Sequence, residues 1–296
     1  MQKITRWVGV SLLFFVAACV PITFTQTTLS ATITETAKPG LTYEDILNAA
    51  IVLPFTQETV TLTNGEAAGN AVTGAFSVKV LPEYGVGDLN SDGQDDLAVL
   101  IAESGGGSGV FVSMLVFISR DGQAVQSGVV TIDDRPVIRS LSINEGAIQL
   151  EALVHNLNDN MAEPKLSINS TYRYLGGIPV LMEKFSAYDN GIERTILIDS
   201  PVEKETVSNV LQVIGSMPVA PFENNLSLTI WDLANFIIDQ SGFMVSADEP
   251  GGPATFNNQI DLSMVPSGTI VRLELADISM ADGSILVSKS VIVKIK

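Results

Sequence analysis

The sequence predicts a mainly β protein in two parts: an antiparallel sheet with one short helix, then an antiparallel sandwich. Short apolar or alternating runs recur from residue 56 onward, and Gly, Asp, Asn and Pro separate them. The composition changes at 185–193, where FSAYDNGIE interrupts the strand pattern. A chain of 296 residues is long enough for two ordinary domains. We therefore expect one domain over 41–184 and a second over 194–296.

The N-terminus has the pattern of a bacterial export signal. Lys3 and Arg6 precede an apolar stretch over 8–16, which is shorter than the roughly 20 residues that cross a bilayer. It ends in VAAC, and Cys19 is the only cysteine of the chain. This arrangement resembles a bacterial lipobox, which implies that residues 1–18 are removed and that Cys19 carries lipid. An ordinary signal peptide with an incidental cysteine is the alternative.

The segment that follows the signal predicts a spacer. Residues 19–40 are rich in threonine, carry little charge and show no helical period. They are typical of an extended tether between a membrane anchor and a folded body.

The charge of the chain limits its partners. The formal charge is −17, and loss of Lys3 and Arg6 with the signal would make it two units more negative. So acidic a chain is repelled by phosphate backbones, which argues against nucleic acid as a partner. With Cys19 lipidated no disulfide can form, so the fold must rest on packing, with or without a metal.

The first domain should begin with a short helix and continue in strands. Thr42 can cap a helix in LTYEDILNAAIVLP, which Pro54 terminates. Asn64-Gly65 is a strong hairpin-turn signal. The runs DLAVLIA and VFVSMLVFI are almost wholly apolar, so we expect them to be central strands covered on both faces, whereas AIQLEALV should be half exposed.

The stretch GDLNSDGQDDLAV at 87–99 is the clearest candidate for a binding site. Acidic or amide side chains alternate, Gly93 permits a sharp turn, and a strand follows. Ca²⁺ takes six to eight oxygen ligands, which such a loop can bring together. The stretch resembles the calcium loops of FG-GAP/VCBS-type repeats, although those repeats occur in sets and this chain has one copy. The resemblance implies a structural Ca²⁺ held by Asp88, Asn90, Asp92, Gln94 and Asp96, with Gln94 contributing its backbone carbonyl. An Asp/Asn/Gly-rich turn without metal is the alternative.

His155 is the only histidine, and it ends a predicted strand. No Gly-x-Ser-x-Gly or His-Glu-x-x-His motif accompanies it, so we favour a structural role over catalysis. The polar stretch at 156–160 could offer a second cation site, but a simple polar loop is the favoured interpretation.

The second domain shows seven predicted strands over about a hundred residues, as in an antiparallel sandwich. Residues 195–296 resemble the immunoglobulin-like domain of bacterial spore germination proteins. The resemblance rests on IDSP at 198–201, PFEN at 221–224, Trp231, ADIS at 276–279 and DGS at 282–284. It implies a sandwich that binds or assembles at the cell envelope, without known catalysis. Phe222 and Trp231 are expected to pack in the core or at an edge, and Glu223 and Asp282 to stabilise turns.

These patterns together predict a lipid-anchored bacterial protein exposed on the extracytoplasmic side. Its expected function is non-catalytic binding or scaffolding, with an envelope protein or cell-wall component as partner. An envelope hydrolase that uses His155 or a carboxylate, and a calcium-dependent adhesin, are the alternatives.

Overall fold

The computed structural model describes residues 40–72, 74–157, 159–187 and 191–296. The signal over 1–18, the lipidation site Cys19, and all of the predicted tether except Gly40 lie outside the described residues. The described residues from 40 to 296 lie in one compact unit.

The described chain is mainly β, with antiparallel sheets and one short α-helix, as the sequence predicts. The elements of the first half are α1 (Tyr43–Ile46), β1 (Ala50–Val52), β2 (Thr59–Thr61), β3 (Glu66–Ala71), β4 (Gly74–Gly87), β5 (Asp96–Ser104), β6 (Phe111–Arg120), β7 (Gln123–Asp134), β8 (Val137–Asn144), β9 (Ala147–Val154), β10 (Leu166–Leu175) and β11 (Ile178–Ala187). Those of the second half are β12 (Glu193–Arg194), β13 (Leu197–Ser200), β14 (Thr206–Val207), β15 (Val210–Met217), a 3₁₀ turn (Phe222–Asn224), β16 (Asn225–Asp232), β17 (Ile237–Met244), β18 (Ser246–Ala247), β19 (Ala254–Asp261), β20 (Ile270–Ile278) and β21 (Ile285–Ile295).

The start of the helix forms as predicted, but α1 ends at Ile46 and Ala50–Val52 form β1, so the predicted helix does not extend to Pro54. The Asp45 carboxylate accepts the Thr42 N–H at 2.7 Å and the Thr42 hydroxyl at 2.8 Å, which fixes the first turn of α1. Asn64 and Gly65 both have positive φ, at 52° and 82°, as a two-residue hairpin turn requires. The hairpin-turn prediction is therefore confirmed.

The strands β5 and β6 form the centre of a five-stranded sheet in the order β3-β4-β5-β6-β7. Successive residues point to opposite faces, so each strand contributes to two cores. Leu97, Val99 and Leu115 pack with α1 and the small β1-β2 sheet. Leu100 and Met114 pack on the other face, against β8, β9 and β10. The prediction that these two strands are covered on both faces is confirmed, and β9 alternates between buried and exposed residues as expected.

A longer sheet runs through both halves of the chain in the order β17-β16-β20-β21-β11-β10-β9-β8. The halves meet where β11 pairs with β21, with Glu183 opposite Lys289 and Lys184 opposite Ser288. A second sheet, β13-β15-β19-β18, lies in the second half. One separate core collects apolar side chains from this sheet and from β16, β17, β20 and β21. Residues up to 182 thus contribute to the cores of the first half, and residues from 196 onward contribute to the core of the second half. The main sheet continues across this boundary.

Candidate functional site

The loop between β4 and β5 contains the predicted calcium ligands, and three contacts anchor it. Leu89 is buried in the core. The backbone carbonyl of Asp95 accepts the Leu41 N–H at 2.8 Å. Asp96 is fully buried, and its two carboxylate oxygens accept the N–H groups of Leu89 at 2.9 Å and Ser119 at 2.8 Å. The loop is therefore fixed at its start, at its end and against β6.

Backbone donors organise the side chains at the tip of this loop. The Asp88 carboxylate accepts the N–H groups of Ser91, Asp92 and Gly93 at 2.7, 3.2 and 2.8 Å. Asp92 accepts the Gln94 N–H at 2.9 Å. Asn90 bonds to Asp92 twice, since its amide oxygen accepts the Asp92 N–H and its amide nitrogen donates to the carboxylate. The structure thus places Asp88, Asn90 and Asp92 side by side, as the spacing predicts.

Negative charge accumulates at this loop. Burial raises the pKa of Asp96 above its usual value, and the neighbouring carboxylates of Asp92 and Asp88 raise it further, while its backbone hydrogen bonds oppose the shift.

Among the described residues, no group of three His, Cys, Asp or Glu side chains is placed to hold a metal ion. The candidate ligands here also include Asn90 and the carbonyl of Gln94. Asp88 Oδ1 and Asp92 Oδ2 each accept two hydrogen bonds, from backbone N–H groups and from the Asn90 and Gln94 amides respectively. Asp88 Oδ2 and Asp92 Oδ1 each accept one, so a second lone pair on each of these two oxygens remains for a cation. The Gln94 side chain is mostly buried beside Ser119.

His155 pairs with Asp133. Its Nδ1 lies 2.8 Å from the Asp133 carboxylate, which also accepts the His155 backbone N–H at 2.6 Å. Its Nε2 is buried and has no hydrogen-bond partner among the described residues. This arrangement supports the structural interpretation of the histidine. In the following loop, one Asp159 oxygen accepts the N–H groups of Asn156 and Lys165, as in a polar loop, and Asn158 lies outside the described residues.

A pocket of about 770 Å³ lies at one end of the second half. Its walls are the turn at 220–224, the loop at 247–251 and the segment at 277–281. Two of these three stretches contain PFEN and ADIS, which carry the resemblance to the germination domain. The structure brings these distant stretches together, which no local pattern in the sequence indicates.

Of the two positions expected for Phe222, the core or an edge, the core is wrong. Its side chain is 67% exposed at the mouth of the pocket. Phe222 occupies the first position of a 3₁₀ turn whose next two residues have positive φ, and this turn directs the ring outward. Trp231 is half buried, and the guanidinium of Arg272 lies 4.8 Å from the centre of its ring.

The acidic residues around the pocket have different roles. The exposed Asp282 carboxylate accepts the N–H and hydroxyl of Ser284, which confirms its turn-stabilising role. The Glu223 side chain forms no hydrogen bond or ion pair within the described part of the chain, so no such role is evident for it. Asp277 is buried, and Arg194 donates to it at 3.2 Å. Burial raises the pKa of Asp277, and the positive charge of Arg194 opposes that shift.

No family model, curated protein or solved structure matches this chain. Among the described residues, no helix has the length and apolar character needed to cross a bilayer.

Proposed function

We propose that this protein is an exported bacterial lipoprotein that binds or scaffolds a partner at the cell envelope without catalysis. The observation that carries the proposal is the pocket at 220–224, 247–251 and 277–281. It has a volume typical of ligand sites, which is about 300–1,000 Å³, and exposed apolar side chains at its mouth.

An immunoglobulin-like arrangement of the second half is part of the same proposal. Its support is the single core filled by Leu211 and Phe256 from one sheet and by Leu228, Leu273 and Val291 from the other. Two sheets that share one core in this way are the general plan of a sandwich. Such domains carry their binding surfaces on the loops at the ends of the strands, and the pocket lies among such loops.

The anchoring part of the proposal rests on the sequence around Cys19 and has a direct test. Cells that express the full-length chain are labelled with palmitate, and the membrane fraction is compared for the natural protein and Cys19→Ser. We expect label and membrane retention in the first and neither in the second, because two or three acyl chains are enough for stable attachment. Unlabelled protein, or equal retention of both forms, would remove the lipid anchor from the proposal.

For the loop at 88–96 we propose a structural Ca²⁺ site, in which Asp88, Asn90, Asp92 and the carbonyl of Gln94 are the residues to hold the ion. A bound Ca²⁺ would supply positive charge and coordination that fix the loop. Asp88 and Asp92 contribute the charge, and the buried Asp96 positions the loop through its two backbone bonds. Asp96, which the resemblance implies as a further ligand, has an anchoring and electrostatic role in this proposal instead, because it is buried and both of its carboxylate oxygens accept backbone N–H groups.

Calorimetric titration with Ca²⁺ tests the loop. We expect heat of binding and a higher unfolding temperature for the natural protein, and neither for Asp92→Ala. Asp199→Ala, which removes an exposed acid from β13 in the second half, is the matched control. Equal heats for the natural protein and Asp92→Ala would exclude this site.

The binding function is tested by partner capture from envelope extract with the full-length protein in neutral detergent. We expect Phe222→Ser to lose proteins or cell-wall fragments that the natural protein retains. Phe236→Ser is the control, because Phe236 is 71% exposed and lies beyond the opposite end of β16. Identical retention by all three forms would exclude the pocket as the binding surface. Loss of capture in chelator would favour the calcium-dependent adhesin.

A further inference from the structure

The pocket of the second half combines an apolar wall with an acidic rim. Phe222 and Met280 are 67% and 81% exposed, and Pro221, Pro250 and Leu286 extend the apolar surface between them. Large apolar side chains that stay exposed around a cavity are typical of binding sites. The wall therefore suits a ligand with an apolar body.

Three carboxylates at the mouth lack a counter-charge. Glu223, Asp248 and Glu249 are exposed, and their side chains form no hydrogen bond or ion pair within the described residues. Arg194, the basic residue of the lining, donates to the buried Asp277. The electrostatic potential at the mouth is therefore negative, and it disfavours anionic ligands.

The two walls that carry these groups are held in place. Ala220 N–H donates to the Gly252 carbonyl at 2.7 Å, and Val245 N–H donates to the Asn224 carbonyl at 2.8 Å. These bonds tie the turn at 220–224 to both ends of the loop at 247–251. A site fixed before binding loses less conformational entropy when its ligand arrives.

We propose that this pocket binds a lysine- or arginine-containing segment of a partner protein. The proposal rests on the binding function above and names the chemistry of its ligand. Lysine and arginine have a long apolar stem and a charged head. The stem packs on Phe222 and Met280, and the head reaches the carboxylates of Glu223 and Glu249. A cation over the ring of Phe222 gains further from its π face. The chain's formal charge of −17 also speeds the approach of a basic partner.

Fluorescence anisotropy tests this ligand class with the full-length protein in neutral detergent. The probe is a labelled eight-residue peptide of alternating lysine and leucine. Its comparison peptides carry glutamate in place of lysine, or serine in place of leucine. We expect the lysine–leucine peptide to bind and both others to bind at least about tenfold more weakly, a difference of about 1.4 kcal/mol. Binding should weaken as salt is raised, because the carboxylates are exposed.

Two pairs of variants separate the pocket from the general acidity of the chain. We expect Glu223→Gln/Glu249→Gln and Phe222→Ser to weaken binding of the lysine–leucine peptide by about tenfold each. Glu145→Gln/Glu151→Gln removes two exposed acids from the first half, and Phe236→Ser removes an exposed ring elsewhere, so both should bind as the natural protein does. Circular dichroism and thermal melts check that every variant folds.

Absence of binding, or equal affinity of all folded variants, would overturn the proposal. Failure of this proposal can be distinguished from failure of the proposed binding function. If Phe222→Ser loses its envelope partner while the lysine–leucine peptide fails to bind, the binding function stands and the ligand chemistry proposed here is wrong. If the peptide binds at the pocket and capture is unchanged by Phe222→Ser, the ligand class stands and the scaffolding role is wrong.

Discussion

Gly215 in β15 lies so close to β13 that no side chain fits there. A Cβ atom at this position would lie 2.0 Å from the Leu197 carbonyl oxygen and 2.4 Å from the ring of Phe256. We expect Gly215→Ala to lower the free energy of unfolding by about 1–3 kcal/mol, because the added methyl forces the strands apart. Urea denaturation measures this. Gly107→Ala is the control, since no atom lies within 4 Å of its Cβ position. Equal midpoints would contradict the close approach.

The buried Asp96 gives the protein a pH dependence with a definite sign. Burial first, and then the charges of Asp92 and Asp88, raise the pKa of Asp96 in the folded state. The folded state therefore binds the proton more tightly than the unfolded state, and the stability contributed by protonated Asp96 is lost as pH rises from about 3.8 through the raised pKa.

We expect the stability of the natural protein, measured relative to Asp96→Asn, to fall over that pH range and to stay constant at higher pH. The asparagine does not titrate, so the comparison cancels the other carboxylates. Urea titrations of both forms at a series of pH values without Ca²⁺ measure this difference. A relative stability that rises with pH would show that the two backbone bonds to the carboxylate outweigh its burial.

At the scale of elements, β5 and β6 support two cores at once. Leu100 is fully buried on the face toward β8 and β9, and Leu115 is fully buried on the face toward α1. We expect Leu100→Ala and Leu115→Ala each to cost about 2–5 kcal/mol of unfolding free energy, because each leaves a cavity in a packed core. Leu157→Ala should cost little, since that side chain is 64% exposed. If only one core substitution is costly, the sheet is not packed on both faces.

The strands and tight turns of the first half could be predicted because their signals are local. Asn64-Gly65 forms a tight turn, and the unbroken apolar runs of β5 and β6 indicate that both faces are buried. The pocket and the pairing of β11 with β21 could not be predicted. The pocket joins stretches up to about 60 residues apart, and the strand pairing matches Glu183 with Lys289 across the whole second half. Neither the pocket nor this strand pairing produces a periodic pattern in the sequence. The exposure of Phe222 could not be predicted either. An aromatic residue suggests a buried position, and only the backbone conformation of the 3₁₀ turn shows that its ring points outward.

At the scale of the whole molecule, two separate sets of cores share one continuous sheet. Only two residue pairs join β11 to β21. Side chains reinforce this junction: the Lys184 ammonium group donates to the Ile285 carbonyl at 2.6 Å, and the Asn235 amide donates to the Leu175 carbonyl at 2.9 Å. Burial lowers the pKa of Lys184. Lys184 is half-buried, and an ammonium group withdrawn from solvent is costly unless it is paired, so its bond to Ile285 contributes more to the junction than a surface ion pair does.

Coupling through this junction predicts a single thermal unfolding transition for the natural protein in calorimetry. Lys184→Met/Asn235→Ala leaves two carbonyls without their donors, at about 1–3 kcal/mol each, and should split the transition into two. Lys289→Met is the matched control. Its ion pair with Glu183 is partly exposed and worth about 0–1 kcal/mol, so the transition should stay single. Two transitions in the natural protein would mean that the halves are already independent. A single transition in the double variant would mean that the paired strands alone couple the two cores.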